Sequence, residues 1–495
     1  MVVDRAVFLP ALALFVLASM AHPATAQGVG ANHEGGSNSY RSQCNSSAPD
    51  AAIIACTKII EEKREDAEDR AMALQNRGFY YQQKGDLDDS IADYTAVLKF
   101  PAGHSARAKV HLNLGLLYFQ KGDAGTALDN YNEAVRLDPK LTSAYLNRAS
   151  IFIKRDDIEH AIGDLDRAAL LNPKDSEIYI SRGSVYAHGG DLERAIADFT
   201  KSIALDPKNA LALRDRGLAY RARGEAAKAA ADAAEAIRLD PNMGGAHLDL
   251  GLALQAAGDA KGAMIEFEKA IQLNPSDSQA LKARGDSYLA AGDGDHAIAD
   301  FSQAIAGDAR LTAAYMNRGI AYLARSDWNR ATADFTTALA LDGTQFAGYL
   351  NRGQAFGANH NPERAIADFT EAIRLQPGAG DAYRQRAFFR QQVGDSHGAI
   401  EDYNHAIALN PNDAEAFRGR GYARLSRREI EPAVADLTAA ITLNPKDALA
   451  LRFRSSAYAA EKDFKRANID GATARQLLRP LATNPNERQL SREPP

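Results

Sequence analysis

A small residue, usually Gly, recurs every 34 residues along most of this 495-residue chain. A fixed period of this length indicates helix-turn-helix units, none of which can bury its apolar face without stacking on its neighbours. The spacing therefore predicts an all-α solenoid, with twelve units from about Ala71 to Leu481. The recurring positions are Gly78, Gly115, Ala149, Gly183, Gly217, Gly251, Gly285, Gly319, Gly353, Ala387, Gly421 and Ser455.

One unit shows the pattern most clearly. Its first helix runs from Tyr315 through Gly319 to Tyr322, and its second carries Ala331, Phe335 and Ala338. These residues resemble the tetratricopeptide repeat, in which a large, a small and an aromatic residue share one helical stripe. The resemblance covers more than four fifths of the chain. It implies an α-solenoid in the form of a right-handed superhelix, whose inner groove is lined by first helices and usually holds an extended peptide or a partner's helix.

Composition and motifs exclude several functions. A formal net charge of −6 gives no general attraction to phosphates, so nucleic acid is not expected as a partner. The eleven His residues form no His-Glu-x-x-His helix, and no phosphate-binding Gly-rich loop is present. We expect no catalytic residues, no metal and no cofactor, and therefore no enzyme.

The N-terminal residues have the features of a secretory signal. Arg5 precedes an apolar run from Ala6 to Met20, and a small-x-small site ends at Ala26. We expect residues 1–26 to be a signal peptide, although an N-terminal anchor is the alternative, and the mature chain to be periplasmic without spanning the membrane. Residues 27–43 have the composition of a flexible linker and residues 482–495 that of a polar, disordered tail.

The two cysteines, Cys44 and Cys56, lie between the signal and the first full unit. In an oxidising compartment they are expected to form a disulfide, because two Cys without further ligands cannot complete a zinc site; free thiols are the other alternative. Residues 52–60 copy the second-helix pattern, with Cys56 where later units have an aromatic residue. Residues 44–70 are therefore interpreted as a lone half-repeat that caps the array.

Comparison of the units with one another predicts internal ion pairs. Ten units have Arg just before the small residue and Asp sixteen residues later, whereas the units with Leu114 and Leu250 have Asn130 and Glu266 there. Both positions should face the seam between the two helices of a unit, so each pair is interpreted as structural and not as an acid/base pair. The pairs are Arg77–Asp93, Arg148–Asp164, Arg182–Asp198, Arg216–Asp232, Arg284–Asp300, Arg318–Asp334, Arg352–Asp368, Arg386–Asp402, Arg420–Asp436 and Arg454–Asp470.

Two sets of residues are candidates for peptide binding. The resemblance places the residue two before the small position in the groove, where a row of Asn could bond peptide amides or, equally, bond within its own array. This row is Asn76, Asn113, Asn147, Asn317 and Asn351. A second set could hold an acidic segment or a chain terminus, or could simply be a solvated face. This basic, aromatic-edged strip is Arg384, Phe388, Arg418, Tyr422 and Arg452.

Further features concern flexibility and the kind of partner. Residues 226–236 are nearly all small, so we expect a flexible point there between two halves of the array. The carboxylate clamp of relatives that hold chaperone tails is missing, because Lys282 is followed one turn later by Asp286. The favoured function is an exported scaffold or adaptor that binds a protein or peptide segment, for which an acidic or extended segment is a candidate. The alternative is a structural component of a cell-envelope assembly, secretion or polysaccharide-export complex.

Overall fold

The computed structural model describes residues 37–45, 48–62 and 66–478. These residues form 26 α-helices and no strands, which confirms the all-α solenoid. The predicted signal peptide, the first part of the predicted linker and the predicted tail lie outside the described residues. Within the described ranges, no helix has both the length and the apolar character needed to cross a membrane.

The chain divides into two compact units, one up to Leu273 and one from Asn274. Helices α1 and α2 precede twelve helix pairs, of which six lie in each unit. The first unit contains α1 (Ser37–Cys44), α2 (Pro49–Glu61), α3 (Ala67–Lys84), α4 (Leu87–Val97), α5 (His104–Gln120), α6 (Ala124–Leu137), α7 (Thr142–Lys154), α8 (Ile158–Leu171), α9 (Ser176–His188), α10 (Leu192–Leu205), α11 (Ala210–Ala222), α12 (Ala226–Leu239), α13 (Gly244–Ala256) and α14 (Ala260–Leu273).

The second unit repeats the same arrangement. It contains α15 (Ser278–Ala290), α16 (Gly294–Gly307), α17 (Thr312–Ala324), α18 (Trp328–Leu341), α19 (Phe346–Ala358), α20 (Pro362–Leu375), α21 (Gly380–Gln392), α22 (Ser396–Leu409), α23 (Ala414–Ser426), α24 (Ile430–Leu443), α25 (Ala448–Ala460) and α26 (Phe464–Leu478). From α3 onward, each odd-numbered helix is the first helix of a repeat and each even-numbered helix is the second.

The turn within a repeat follows a fixed chemistry. Gly122 has a φ of 86°, which suits a residue without a Cβ, and the next residue, Asp123, accepts a hydrogen bond from the Thr126 amide at the start of α6. The same cap is formed by Asp191 before α10 and Asp293 before α16. The tight turn therefore makes the two helices of a repeat antiparallel neighbours.

The recurring small residue is required by the aromatic ring of the second helix. A Cβ atom added to Gly319 would lie 2.6 Å from Phe335 Cε1, and one added to Gly183 would lie 2.8 Å from Phe199 Cε1. Both rings are 0% exposed. The absence of a side chain on the first helix thus makes room for the largest buried side chain on the second.

The Ala-rich helix α12 does not mark the division of the chain. The predicted flexible point at residues 226–236 lies inside the first unit, and the compact units divide at Leu273 and Asn274 instead. Ala233 replaces the aromatic residue, yet it is only 2% exposed. A Cβ on Gly217 would lie 3.3 Å from the Ala229 carbonyl oxygen, so α11 and α12 are in close contact at this point although the ring is missing.

All ten Arg–Asp pairs of the two units have the same bidentate geometry. In each, Arg Nε donates to one carboxylate oxygen and Nη2 to the other. For Arg318 and Asp334 both distances are 2.8 Å, and the side chains are 18% and 8% exposed. The hydrogen bond to Asp334 raises the pKa of Arg318. Each pair therefore joins the two helices of one repeat.

The same Arg also bonds to the preceding repeat. Nη1 of Arg318 donates to Ser302 Oγ at 3.0 Å, and Nη1 of Arg182 donates to Asp166 Oδ1 at 2.7 Å. The acceptor lies sixteen residues before the Arg, on the second helix of the neighbouring repeat. Equivalent acceptors are Asn132, Thr200, Thr336, Thr370, Asn404 and Thr438. One guanidinium thus holds three helices together.

A histidine replaces the arginine in the two exceptional repeats. His111 Nδ1 lies 3.0 Å from Asn130 Oδ1, and His247 Nδ1 lies 2.7 Å from Glu266 Oε2. Each His is one turn before the Leu that stands at the Arg position. A different pair of residues therefore restores the polar link between the two helices.

The N-terminal cap is a helix pair. The Cys44–Cys56 disulfide is confirmed, and both residues are buried. Residues 37–43, predicted as part of a linker, belong to α1, so a short helix precedes α2. Helix α1 lies against α2 and α3, where Arg41 forms an ion pair with Asp69. With only eight residues, α1 needs these contacts to remain helical.

Arg318→Leu is expected to lower the free energy of unfolding by about 2–4 kcal/mol, because it leaves Asp334 without its partner in a partly buried seam. Adding Asp334→Asn should restore about half of this loss. Chemical denaturation with hydrogen exchange of α17 and α18 measures both effects.

The matched control is Arg330→Gln in the same repeat. Its exposed pair with Asp327 should contribute less than about 1 kcal/mol. Equal losses for the two single variants, or additive losses in the double variant, would contradict a coupled pair.

Candidate binding surfaces on the first helices

The first helices of neighbouring repeats contact each other within each unit, as α5 does with α7, α9 with α11, α17 with α19 and α23 with α25. Side chains on this side therefore form continuous surfaces, one per unit. Residues two and three before the small position, and one after it, occupy these surfaces at each repeat. All ten predicted peptide-binding residues lie on first helices.

Three of the five predicted Asn residues bond within the chain. Asn76 Nδ2 donates to Asn45 Oδ1 at 2.6 Å, so the cap covers it, and Asn317 Nδ2 donates to Asp286 Oδ1 at 2.6 Å. Asn113 hydrogen-bonds the Tyr94 side chain. The row is also divided between the two units. At these three positions the structure therefore favours the internal alternative.

Asn147 differs from the other members of the row. It is only 6% exposed, and its Nδ2 has no hydrogen-bond partner among the described residues. Asn351 is half-buried on α19. Among the predicted Asn, Asn147 is thus the one whose side chain is buried without a partner for its donor.

The same position remains polar in the later repeats of the first unit, a feature that an Asn-only search missed. It holds Ser181, Asp215 and Asp249, which are 5%, 4% and 8% exposed. The 34-residue spacing from Asn147 could have found them. A polar row therefore continues through α7, α9, α11 and α13.

Asp215 is the most strongly perturbed member of this row. Burial raises its pKa to about 7, the neighbouring Arg214 lowers it, and the nearby Asp249 raises it further. Its Oδ2 has no hydrogen-bond partner in the described chain. Arg214 Nε instead donates to Asp249 Oδ2 at 2.7 Å. The carboxyl group of Asp215 is therefore protonated to a large extent near neutral pH.

The predicted basic strip in the second unit is largely neutralised by the chain itself. Arg384 pairs with Asp381, Asp413 and Glu415, and Arg418 Nη1 donates to Asp447 Oδ2 at 2.8 Å. Although burial opposes the effect, these carboxylates raise the pKa of Arg384. Two of the three Arg of the predicted strip therefore already have carboxylate partners within the chain. Arg452 is exposed, and the structure shows no ion pair for its guanidinium within residues 66–478.

Aromatic side chains form an exposed surface beside these Arg residues. Phe388 and Tyr422 are 46% and 44% exposed, and the Tyr422 ring stacks on Phe453 with centroids 4.6 Å apart. Leu449, one turn before Phe453, is 40% exposed. We call Phe388, Tyr422, Leu449, Arg452 and Phe453 the C-terminal aromatic surface. Sequence reasoning missed Phe453, which lies two residues before the small position of α25, and Leu449, one turn earlier on the same helix.

The described residues contain no group of three or more His, Cys, Asp or Glu that could hold a metal ion. The many carboxylates of the seams are used in ion pairs.

Two family models match the sequence. The model of the cilia and flagella-associated protein 70 C-terminal domain matches residues 13–283, which is more than half of the chain. A tetratricopeptide repeat model matches residues 282–346 and 390–448. No curated protein matches the sequence.

Several solved structures are similar to the chain. Human IFIT1 with m7Gppp-AAAA has 18% identity, covers 79% of this chain and 94% of its own, and gives a TM-score of 0.41. YrrB, a TPR protein with an unusual peptide-binding site, has 22% identity, coverages of 37% and 95%, and a TM-score of 0.36. A tetratricopeptide repeat protein from Parabacteroides merdae ATCC 43184 has 21% identity, coverages of 50% and 98%, and a TM-score of 0.40.

The family models agree with the helix pairs, the recurring small residue and the buried aromatic residue described above. The chain belongs to the tetratricopeptide repeat family.

Proposed function

We propose that this chain is an exported scaffold that binds a protein or peptide segment on the first-helix surface of its second unit. The tetratricopeptide fold itself suggests a protein-interaction scaffold. The observation that carries the proposal is the C-terminal aromatic surface, because exposed aromatic residues that cluster beside Arg are typical of the centres of protein interfaces.

The surface also favours one partner chemistry. Phe388, Tyr422 and Leu449 offer apolar area, and Arg452 supplies a guanidinium that can bond a carboxylate in a bidentate manner. Because Arg384 and Arg418 are already paired within the chain, the partner needs only one carboxylate, which bonds Arg452. A segment that carries apolar side chains and one Asp or Glu therefore fits the surface best.

Export is supported by two features. Residues 1–26 have the composition of a secretory signal, and the Cys44–Cys56 disulfide belongs to proteins of oxidising compartments. A periplasmic location agrees with both features.

Selection of a displayed random peptide library on the full chain tests the binding proposal. The enriched peptides should combine apolar residues with Asp or Glu. Tyr422→Ser should weaken their binding at least about tenfold, because it removes the exposed ring that stacks on Phe453. Arg452→Gln should remove the preference for Asp or Glu and leave the apolar preference.

Phe464→Ser is the matched control, since Phe464 is 63% exposed on α26 and lies outside the surface. Equal affinity for the selected peptides in the wild-type and Tyr422→Ser proteins would refute the proposal. A stable stoichiometric complex that copurifies with the chain and is insensitive to Tyr422→Ser would instead favour a structural component of an envelope assembly.

The protein isolated from its native source is expected to begin at Gln27 and to lack two hydrogen masses relative to the reduced chain. Intact-mass analysis of cell fractions measures both properties. Ala26→Leu should block cleavage, because the site requires a small residue. An intact Met1 in wild-type protein would contradict cleavage after Ala26.

A further inference from the structure

The contact between two neighbouring first helices of the first unit contains two acidic side chains but one basic side chain. Helix α11 contacts α13, and Asp215 on α11 and Asp249 on α13 are 4% and 8% exposed. The charges that act on the Asp215 carboxyl group are those of Arg214 and Asp249. Two carboxyl groups thus lie beside one guanidinium at a place that water hardly reaches.

The guanidinium is bonded to only one of the two acids. Arg214 Nε donates to Asp249 Oδ2 at 2.7 Å, and Arg214 packs against Gly245 of α13, where an added Cβ would be 2.9 Å from Arg214 Cζ. Asp215 Oδ2 has no hydrogen-bond partner among the described residues. A neutral carboxyl group suits this place, because an ionised one would be a buried charge without a donor.

The other buried Asp and His side chains on the surrounding helices have partners of their own. On α9, α10, α12, α13 and α14 they are Asp198, Asp232 and His247, which bond Arg182, Arg216 and Glu266, respectively. Their charges are therefore matched within their own repeats. In this part of the described chain, Asp215 is the buried acid that no cation bonds.

The same part of the array also lacks two features that hold other repeats together. Helix α12 has Ala233 in place of the aromatic residue, and Leu250 on α13 replaces the Arg that elsewhere bonds the preceding repeat. Ala234, at the acceptor position on α12, has no side-chain acceptor. Because the α11–α12 repeat lacks this link to the α13–α14 repeat, a new charge between α11 and α13 has a larger relative effect.

We propose that the α11–α13 contact is a pH-sensitive joint, which is closed while Asp215 holds a proton and loosens when Asp215 ionises. Ionisation leaves two negative charges and one positive charge in this contact. The two carboxylates then repel each other across it, and the low local polarity strengthens the repulsion. The joint lies within the first unit and does not involve the C-terminal aromatic surface, so either proposal can fail alone.

The pH range of the joint follows from the protonation of Asp215. Burial raises the pKa of Asp215 to about 7, although Arg214 opposes this shift, and the folded value lies above that of an unfolded chain. The stability that this group contributes is therefore complete below the unfolded pKa and is lost as the pH rises to about 7. The joint is thus closed in mildly acidic conditions and loosens as the pH passes through neutrality.

Hydrogen exchange of the full chain measures the opening of α11 and α13 between pH 5.5 and 8, with rates corrected for the intrinsic effect of pH. Over this range the opening constant of these helices should rise about thirtyfold in the wild-type protein relative to Asp215→Asn, because Asn cannot ionise. Glu268→Gln is the matched control. It removes an exposed carboxylate on α14 and should give the wild-type profile.

Asp215→Ser provides a second protein without the carboxyl group, since Ser181 occupies the equivalent position one repeat earlier. Its opening constant should have the same pH dependence as that of Asp215→Asn. A wild-type profile that runs parallel to those of both variants would overturn the proposal.

Asp249→Asn tests the repulsion itself. It removes the second acid and leaves Arg214 available to Asp215, so the pH at which the opening constant levels off should fall by at least about one unit. If this pH stays near 7 in the Asp249→Asn protein, Asp249 does not act on Asp215 and the proposed joint is refuted.

Discussion

The guanidinium that links three helices is the interaction on which the array depends. In each of ten repeats, Arg forms two bonds to the Asp of its own second helix, and in at least nine of them it forms a third bond to the helix before. The planar guanidinium, whose N–H donors have fixed directions, suits this task because it fixes both the angle and the distance between the helices that it joins. One side chain thus makes the bonds within a repeat and the bond between repeats, so none of the three helices can shift without disturbing the bonds to the other two.

The two repeats without this Arg show which of its hydrogen bonds other residues can replace. His111 and His247 restore a link within the repeat, but Ala234, sixteen residues before Leu250, has no side-chain hydrogen-bond acceptor. The acceptor on the preceding repeat has therefore changed together with the Arg at this position. Helix α12, which carries Ala234, also lacks the aromatic ring and has Ala233 in its place.

The fold and the Arg–Asp pairs could be predicted from sequence because twelve copies act as controls for one another. Features that occur in only one repeat could not be predicted in this way, because no other copy serves as a comparison. Helix α1 covers Asn76 through Asn45, and nothing in the repeat pattern predicts an additional short helix before α2. The neutralisation of Arg384 by Asp413 and Glu415 also depends on which side chains of the next repeat reach it. Position within the repeat places a residue on a surface, whereas its availability is decided by neighbours in space.

The two units use the same scaffold to present opposite chemistry. At the position two before the small residue, the first unit holds polar residues throughout, and they are mostly buried; the second unit ends in Phe453 at that position, with Tyr422 stacked on it. The packing residues do not differ in this way, because every repeat must satisfy the same seam between helices. Variation is therefore confined to positions that the seam does not use. An unpaired carboxylate at Asp215 costs stability and an exposed stacked pair at Tyr422 costs solubility, and the requirements of the helix pair account for neither. The exposed pair at Tyr422 is the feature on which the proposed partner surface of the second unit depends.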